Sequence, residues 1–304
     1  MLCAADPIGK PGVPSAMETL PHRKEPMKSL AEQDARLQGM YWVADAGACS
    51  GVYVLEEGRI LIDAGNMYGL LDEIQEVAPP DRLEAILLTH GHFDHVGGMA
   101  EIYQAVSPNV YLHRITREYL KLLRAPYPEF FDALEKDGKI QYLEDQQAWR
   151  GPPPLRVIHA PGHTAGDLCF FHEPSGALFC GDALFPNQFE HKAALSKPDE
   201  VCGGRMQDKQ ATLRRLLALP VRHLFSGHGE PVFDKGLDQI KISLFTFYQS
   251  SHEDQPELAW VAMGYDLLEL GQVAEARQCA AKAAQINSEA PGLHPLREKI
   301  SLQG

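Results

Sequence analysis

Thr89–Gly98 reads THGHFDHVGG, a stretch that places His90, His92, Asp94 and His95 within six consecutive positions. It follows the short, almost wholly apolar run Leu83–Leu88, which suits a buried strand, so the donors gather where a strand ends. In extended backbone alternate side chains share a face, and His90 and His92 can therefore point the same way. Asp94 and His95 stand where the chain would turn into a helix. Asp is a favoured N-cap residue, so the plain reading makes Asp94 a cap and the histidines polar loop residues. Against it stands the chemistry of the donor set: several imidazoles and a carboxylate side by side are what borderline divalent cations prefer, and four donors could serve two cations.

Outward from this stretch the pattern is mixed. Gly51–Gly65 (GVYVLEEGRILIDAG) alternates in the manner of two strands joined at a Glu-Gly turn. Met67–Ala78 has helical spacing and stops at Pro79 and Pro80. Downstream, His95–Val106 reads as a helix despite its glycine pair, Asn109–His113 as a strand, and Thr116–Arg124 as a helix. Leu155–Pro161, Leu168–Glu173 and Ala177–Phe185 are strand candidates separated by Gly and Pro turns. Strands joined by helices in some places and by hairpins in others predict a sheet-rich core of both strand directions covered by helices.

Three later strand ends repeat the theme of the first. His163 lies in the Pro-Gly turn of HAPGHTAGDL, Asp182 directly follows a strand in FCGDALF, and His228 sits between glycines in LFSGHGEP. Each would be a turn residue on its own, but loops on a rigid scaffold concentrate function, and three such ends would converge if their strands are neighbours.

Beyond about Pro231 strand signals cease. Leu258–Asn287 fits two amphipathic helices separated near Gly271. Trp260, Gly264, Gly271, Ala276, Ala280 and Ala283 give it the look of a single tetratricopeptide unit, with an ordinary helical hairpin as the plainer alternative. One repeat cannot bury its own faces, so its apolar side must rest on the core or on another chain.

Composition bounds the function. The 304 residues are 44% hydrophobic and 23% charged, with a formal net charge of -13 and no cluster of lysines and arginines. These values fit a soluble enzyme-sized chain and speak against nucleic acid as a partner and against a membrane span. Residues 1–40 are expected to form a flexible leader, without the basic start and apolar run of a secretory signal. Six scattered cysteines with no CxxC pair predict neither a disulfide framework nor a thiolate zinc cluster, and fit the cytoplasm.

The motif His90-x-His92-x-Asp94-His95, followed in order by His163, Asp182 and His228 and preceded by LIDAG with Asp63, resembles the metallo-β-lactamase superfamily over roughly Tyr41–Phe233. The resemblance implies an α+β fold, a four-layer αβ/βα sandwich with metals at one edge. Residues 41–235 would form it, and 236–304 would be a small helical extension. By that similarity His90, His92 and His163 would bind one metal and Asp94, His95 and His228 a second, with Asp182 bridging. Zinc is the first expectation for the two divalent ions, with iron or manganese as alternatives. Asp63 would brace the metal loop by hydrogen bonding. Cys180 stands two residues before Asp182, where a strand would give both the same face, and is read as a small buried apolar residue.

The expected reaction is hydrolysis of an ester-like bond in a small-molecule substrate by metal-bound hydroxide, with Asp94 as proton acceptor or donor. GDALF resembles glyoxalase II and related thioester hydrolases, which makes a thioester the leading substrate and a lactone or β-lactam the next. The following PNQFEHKAAL departs from the glycine-rich, lysine-bearing segment with which glyoxalase II holds glutathione. His191, Lys192 and Arg205 are the candidates for holding an anionic substrate, against the plainer reading of a solvated loop. Two other readings stay open: a mononuclear iron persulfide dioxygenase, and a scaffold acting through the C-terminal helices. Those helices are also a candidate homodimer contact.

Overall fold

The computed structural model describes residues 27–44, 50–65, 69–186 and 195–303. Two sheets carry the fold. The first is β1 (Lys28–Ser29), β2 (Tyr41–Val43), β3 (Val52–Leu55), β4 (Ile60–Ile62), β5 (Ala85–Leu87), β6 (Asn109–Leu112) and β7 (Ile140–Tyr142), paired in that order. The second is β8 (Arg156–His159), β9 (Leu168–His172), β10 (Ala177–Gly181) and β11 (His223–Ser226), ordered β11-β10-β9-β8. Pairing is antiparallel from β1 to β4 and parallel from β4 to β7, so both strand directions are present as the mixed connections require.

Side-chain alternation builds the layers. In β4 and β5, Ile60, Ile62, Ala85 and Leu87 face the second sheet, while Leu61 and Ile86 face outward. In β9 and β10, Leu168, Phe170, Ala177 and Phe179 face the first sheet, while Cys169, Phe171, Leu178 and Cys180 face outward. Both outward faces are apolar and must be covered. The first is packed by α1 (Leu70–Ile74), α2 (Phe93–Val96), α3 (Met99–Ala105) and, beyond α4 (Arg114–Tyr119), α5 (Tyr127–Lys136), the second by α6 (Met206–Leu217) and α7 (Gly236–Ser251). The result is the four-layer αβ/βα sandwich that the resemblance implies.

Several local expectations shift. The helix expected from His95 breaks at Gly97-Gly98 into α2 and α3, and among the described residues of the Met67–Ala78 stretch the helix is Leu70–Ile74. The leader is corrected where it can be described. Lys28–Ser29 pairs with β2, and Leu30, Leu37 and Met40 are buried in the core between the sheets, so the packed unit begins well before Tyr41. Asp34 then ties this segment to the second sheet through Arg222 and His223, each at 3.0 Å. Residues 1–26 lie outside the described residues.

The C-terminal pair is α8 (Pro256–Glu269) and α9 (Val273–Ile286), parted at Gly271 as expected and followed by α10 (Leu293–Gln303). Its apolar side rests on the core: Ala259, Leu267, Ala276, Ala280, Leu293 and Leu296 belong to one buried cluster with Leu178, Leu213 and Leu224. Gly264 permits the close helix contact, since a Cβ there would stand 2.7 Å from Leu296 Cδ2. A buried Leu-to-Ala change costs about 2–5 kcal/mol. Leu296→Ala is therefore expected to lower the stability of the whole chain by that amount, in a single urea transition; a separate early transition of the helices alone would contradict the shared core.

Candidate metal centre

The ligand-bearing strands of the second sheet run the same way. β10 and β11 are parallel, and β8 and β10 are each antiparallel to β9, so their C-terminal ends share one edge. His163, Asp182 and His228 follow those ends. From the first sheet β5 delivers Thr89–His92 to the same edge, where Leu168 N donates to Thr89 O at 2.8 Å. Asp94 is not the N-cap of α2: His92 takes that position, and Asp94 is the second helical residue with its side chain turned to the site.

On one side, His90, His92 and His163 present three ring nitrogens to one another. His92 Nδ1 lies 3.1 Å from His90 Nε2 and 2.9 Å from His163 Nε2. The opposite nitrogens fix which of these carry protons. Thr89 donates its hydroxyl to Asp63 and so accepts from His90 Nδ1 at 3.1 Å. His92 Nε2 donates to Asp199 Oδ2 at 2.8 Å, and His163 Nδ1 to the Lys197 carbonyl at 2.7 Å. Three lone pairs therefore converge with no proton among them, an arrangement that repels itself unless a cation sits there.

On the other side are Asp94, His95 and His228. His95 donates from Nδ1 to Asp63 at 2.8 Å, leaving Nε2 inward, where it is buried and, among the described residues, without a hydrogen-bond partner. Asp182 Oδ1, equally buried and unpartnered, lies 3.4 Å from it. His228 Nε2 is 3.2 Å from Asp94 Oδ2 and 3.3 Å from Asp182 Oδ2. Asp182 also approaches His163 Nε2, at 3.6 Å, and so touches both groups. These orphaned atoms and converging lone pairs fit divalent cations, and the donor groups on either side are compact, their atoms within 4.8 Å of one another.

Charge follows the same division. Burial holds the His163 imidazole down to about 4 and that of His90 well below its usual value. For His95 and His228 burial acts in the same sense but is outweighed, by the Asp63 and Asp182 charges in one case and by hydrogen bonds to Asp182 and Asp94 in the other; His228 rises to about 9. The carboxylate side of the site thus attracts positive charge, whether protons or a cation.

Asp63 stays outside the cluster. It accepts from Thr89 N, Thr89 Oγ1 and His95 Nδ1, all at 2.8 Å, in a left-handed backbone conformation at φ 61°. Cys180 is buried, and burial pushes its thiol up to about 12. Arg205 is turned to solvent, 65% exposed, with Asp208 at 3.8 Å. His191 and Lys192 lie outside the described residues.

Several contributors carry no motif. Ser50 donates its hydroxyl to the Asp94 carbonyl, and Asp167 accepts from the amides of His163 and Thr164 at 3.0 and 2.8 Å, shaping the His163 turn. Only the Thr-x-x-Asp spacing of Thr164 and Asp167 could have flagged the second; Asp199 and Ser50 have no such signal. Phe185 stands edge-on 5.4 Å from the His228 ring and gives the site an apolar neighbour, while Phe93, 48% exposed, packs edge-on with Tyr127.

A family model described as the metallo-beta-lactamase superfamily matches residues 45–228. The chain is 32% identical over 185 residues to a hydroxyacylglutathione hydrolase of Aeromonas salmonicida (strain A449), covering 60% of this chain and 62% of that enzyme. It is 34% identical over 165 residues to a hydroxyacylglutathione hydrolase of Aeromonas hydrophila subsp. hydrophila, covering 54% of each. The matched stretch thus spans less than two thirds of either relative. The fold is similar to that of a metallo-beta-lactamase family protein from Thermus thermophilus, with a TM-score of 0.53 and 21% identity over 74% of this chain and 82% of that one. With a family match over more than half its length, the donor motif inside that match and the same sandwich around it, the chain belongs to the metallo-beta-lactamase superfamily.

Proposed function

We propose that this chain is a metal-dependent hydrolase of ester-like bonds, with a thioester as its substrate. The observation that carries the reading is the pair of donor groups sharing Asp182: three converging imidazole lone pairs on one side, and the orphaned His95 Nε2 and Asp182 Oδ1 on the other. His90, His92 and His163 would hold one divalent ion, Asp94, His95 and His228 a second, with Asp182 between, and zinc is the ion these donors suit first. Bound there, the metals would lower the pKa of water towards neutrality and polarise the substrate carbonyl.

The chain's own residues supply the rest. Burial alone would raise the Asp94 carboxyl, but the His228 hydrogen bond and the His95 charge outweigh it and keep the group below the usual carboxylate range. Ionised and partly exposed, Asp94 can take up a proton and return it to a leaving group. Asp63 orients the His95 ring rather than reacts. Phe185, against the His228 ring, would shield part of the acyl portion from water. The thioester assignment draws on the hydroxyacylglutathione hydrolase relatives.

Zinc-loaded protein should be offered hydroxyacyl-glutathione and acyl-coenzyme A thioesters beside lactones and a β-lactam, with thiol release or ring opening as readout. Thioester kcat/KM well above the other classes is the expected result. No turnover of any carbonyl substrate by protein carrying two zinc ions per chain would overturn the hydrolase, and persulfide oxidation by protein with one iron would replace it.

A further inference from the structure

The segment Leu195–Asp199 crosses the outer side of the centre and touches three of its seven donors. Ser196 Oγ donates to the Asp182 carbonyl at 2.5 Å, the Lys197 carbonyl accepts from His163 Nδ1 at 2.7 Å, and Asp199 Oδ2 accepts from His92 Nε2 at 2.8 Å. The segment is itself held. Asp199 N donates to the His163 carbonyl at 2.7 Å, and Asp199 Oδ1 accepts from the amides of Val201 and Cys202 at 2.9 and 3.3 Å. Beneath it Lys209, 1% exposed, donates to Ser196 Oγ and, at 2.8 Å, to the Ala183 carbonyl. One carboxylate oxygen is thus occupied by the turn, and the other is aimed at a single ring nitrogen.

We propose that Asp199 is a positioning residue that makes His92 a donor through Nδ1, by holding the ring's proton on Nε2. The inference rests on the reading of the site as a metal centre. His92 differs here from His90 and His163, which turn Nε2 inward and whose outer Nδ1 protons go to neutral oxygens of Thr89 and Lys197. A neutral imidazole places its proton on either nitrogen with little preference, so an anionic acceptor on one side decides the tautomer. His92 is also the least buried of the three rings, with 25% of its side chain exposed, and so has less packing to orient it. Asp199 therefore supplies through charge what burial supplies for the other two.

Asp199→Asn is the informative change. An amide oxygen can still accept from Val201 and Cys202, which preserves the turn, but the amide NH2 then faces His92 Nε2. The ring must accept there and carry its proton on Nδ1, where the metal needs a lone pair. Nitrogen-15 spectra of histidine-labelled metal-free protein read the tautomer directly, and competition with a chromophoric chelator reads zinc affinity. The expected results are an Nε2 proton on His92 in the wild type, its transfer to Nδ1 in D199N, and a weakening of one zinc site by about 10–100-fold. A wild-type His92 with its proton on Nδ1 would overturn the proposal whatever the variants do, as would wild-type zinc affinity in D199N. A wild type that shows the Nε2 proton and tight zinc but turns over no carbonyl substrate would fail the hydrolase reading and leave Asp199 in this role.

Discussion

Asp182→Ala is expected to remove one of the two proposed metals and to lower kcat about 10³-fold, the size of the several kcal/mol that a metal contributes as Lewis acid. Among the described residues Asp182 is the carboxylate that approaches both donor groups, with His95 and His228 on one side and His163 on the other. Burial would raise its pKa, but the neighbouring His95 charge and the close His228 ring outweigh it and drive it well below the usual range, so it is ionised. Removing it takes away a negative charge that both cations would share and leaves His95 Nε2 with the Asp94 carboxylate, at 3.7 Å, in front of it. Asp182→Asn keeps the shape and removes only the charge, and should lose nearly as much. Elemental analysis per chain and kcat on the preferred thioester check the result; two metals with unchanged turnover would sink the shared-carboxylate reading.

Gly227→Ala should be almost as damaging, although the residue offers no donor. A Cβ at this position would lie 2.5 Å from Asp182 Oδ1 and 2.5 Å from His95 Cε1, well inside contact distance. The backbone cannot retreat: Gly227 N donates to the Gly181 carbonyl at 2.9 Å, and Gly227 O accepts from Gly51 N at 2.7 Å. The two donors must move instead. Overpacking of this kind costs about 1–3 kcal/mol of stability. A misplacement near 1 Å costs about 10²-fold in rate. The variant is expected to fold, with a modest fall in Tm, weakened retention of metal and kcat down about a hundredfold. Metal content and kcat at wild-type values would show that the site tolerates the shift.

Gly227 illustrates what a sequence hides. In LFSGHGEP it reads as one of two glycines flanking a histidine, and nothing in that spacing says that Asp182 and His95 close over it. Asp199 is hidden for the same reason, lying 107 residues from the ring it orients. Lys28–Ser29 is too short for periodicity to reveal, yet it pairs into the first sheet. The expectations that rested on local pattern fared better. The Gly51–Gly65 hairpin, the strand before Thr89 and the break near Gly271 all stand where alternation or helical spacing put them, because those signals arise from neighbours along the chain. The split of the helix after His95 shows the limit even there, since apolar spacing continues through a glycine pair that the backbone does not follow as one helix.

The sequence by itself determined the chemical inventory: imidazoles and carboxylates at strand ends, in an order and spacing that identify the fold, and an alternation that gives each sheet two apolar faces. The tertiary structure alone decided which nitrogen of each ring looks inward. That choice belongs to the outer acceptors, Thr89 for His90, Asp199 for His92, Lys197 for His163 and Asp63 for His95. Three of the four come from other parts of the chain, and a ring's proton is placed by whichever oxygen the fold brings to it.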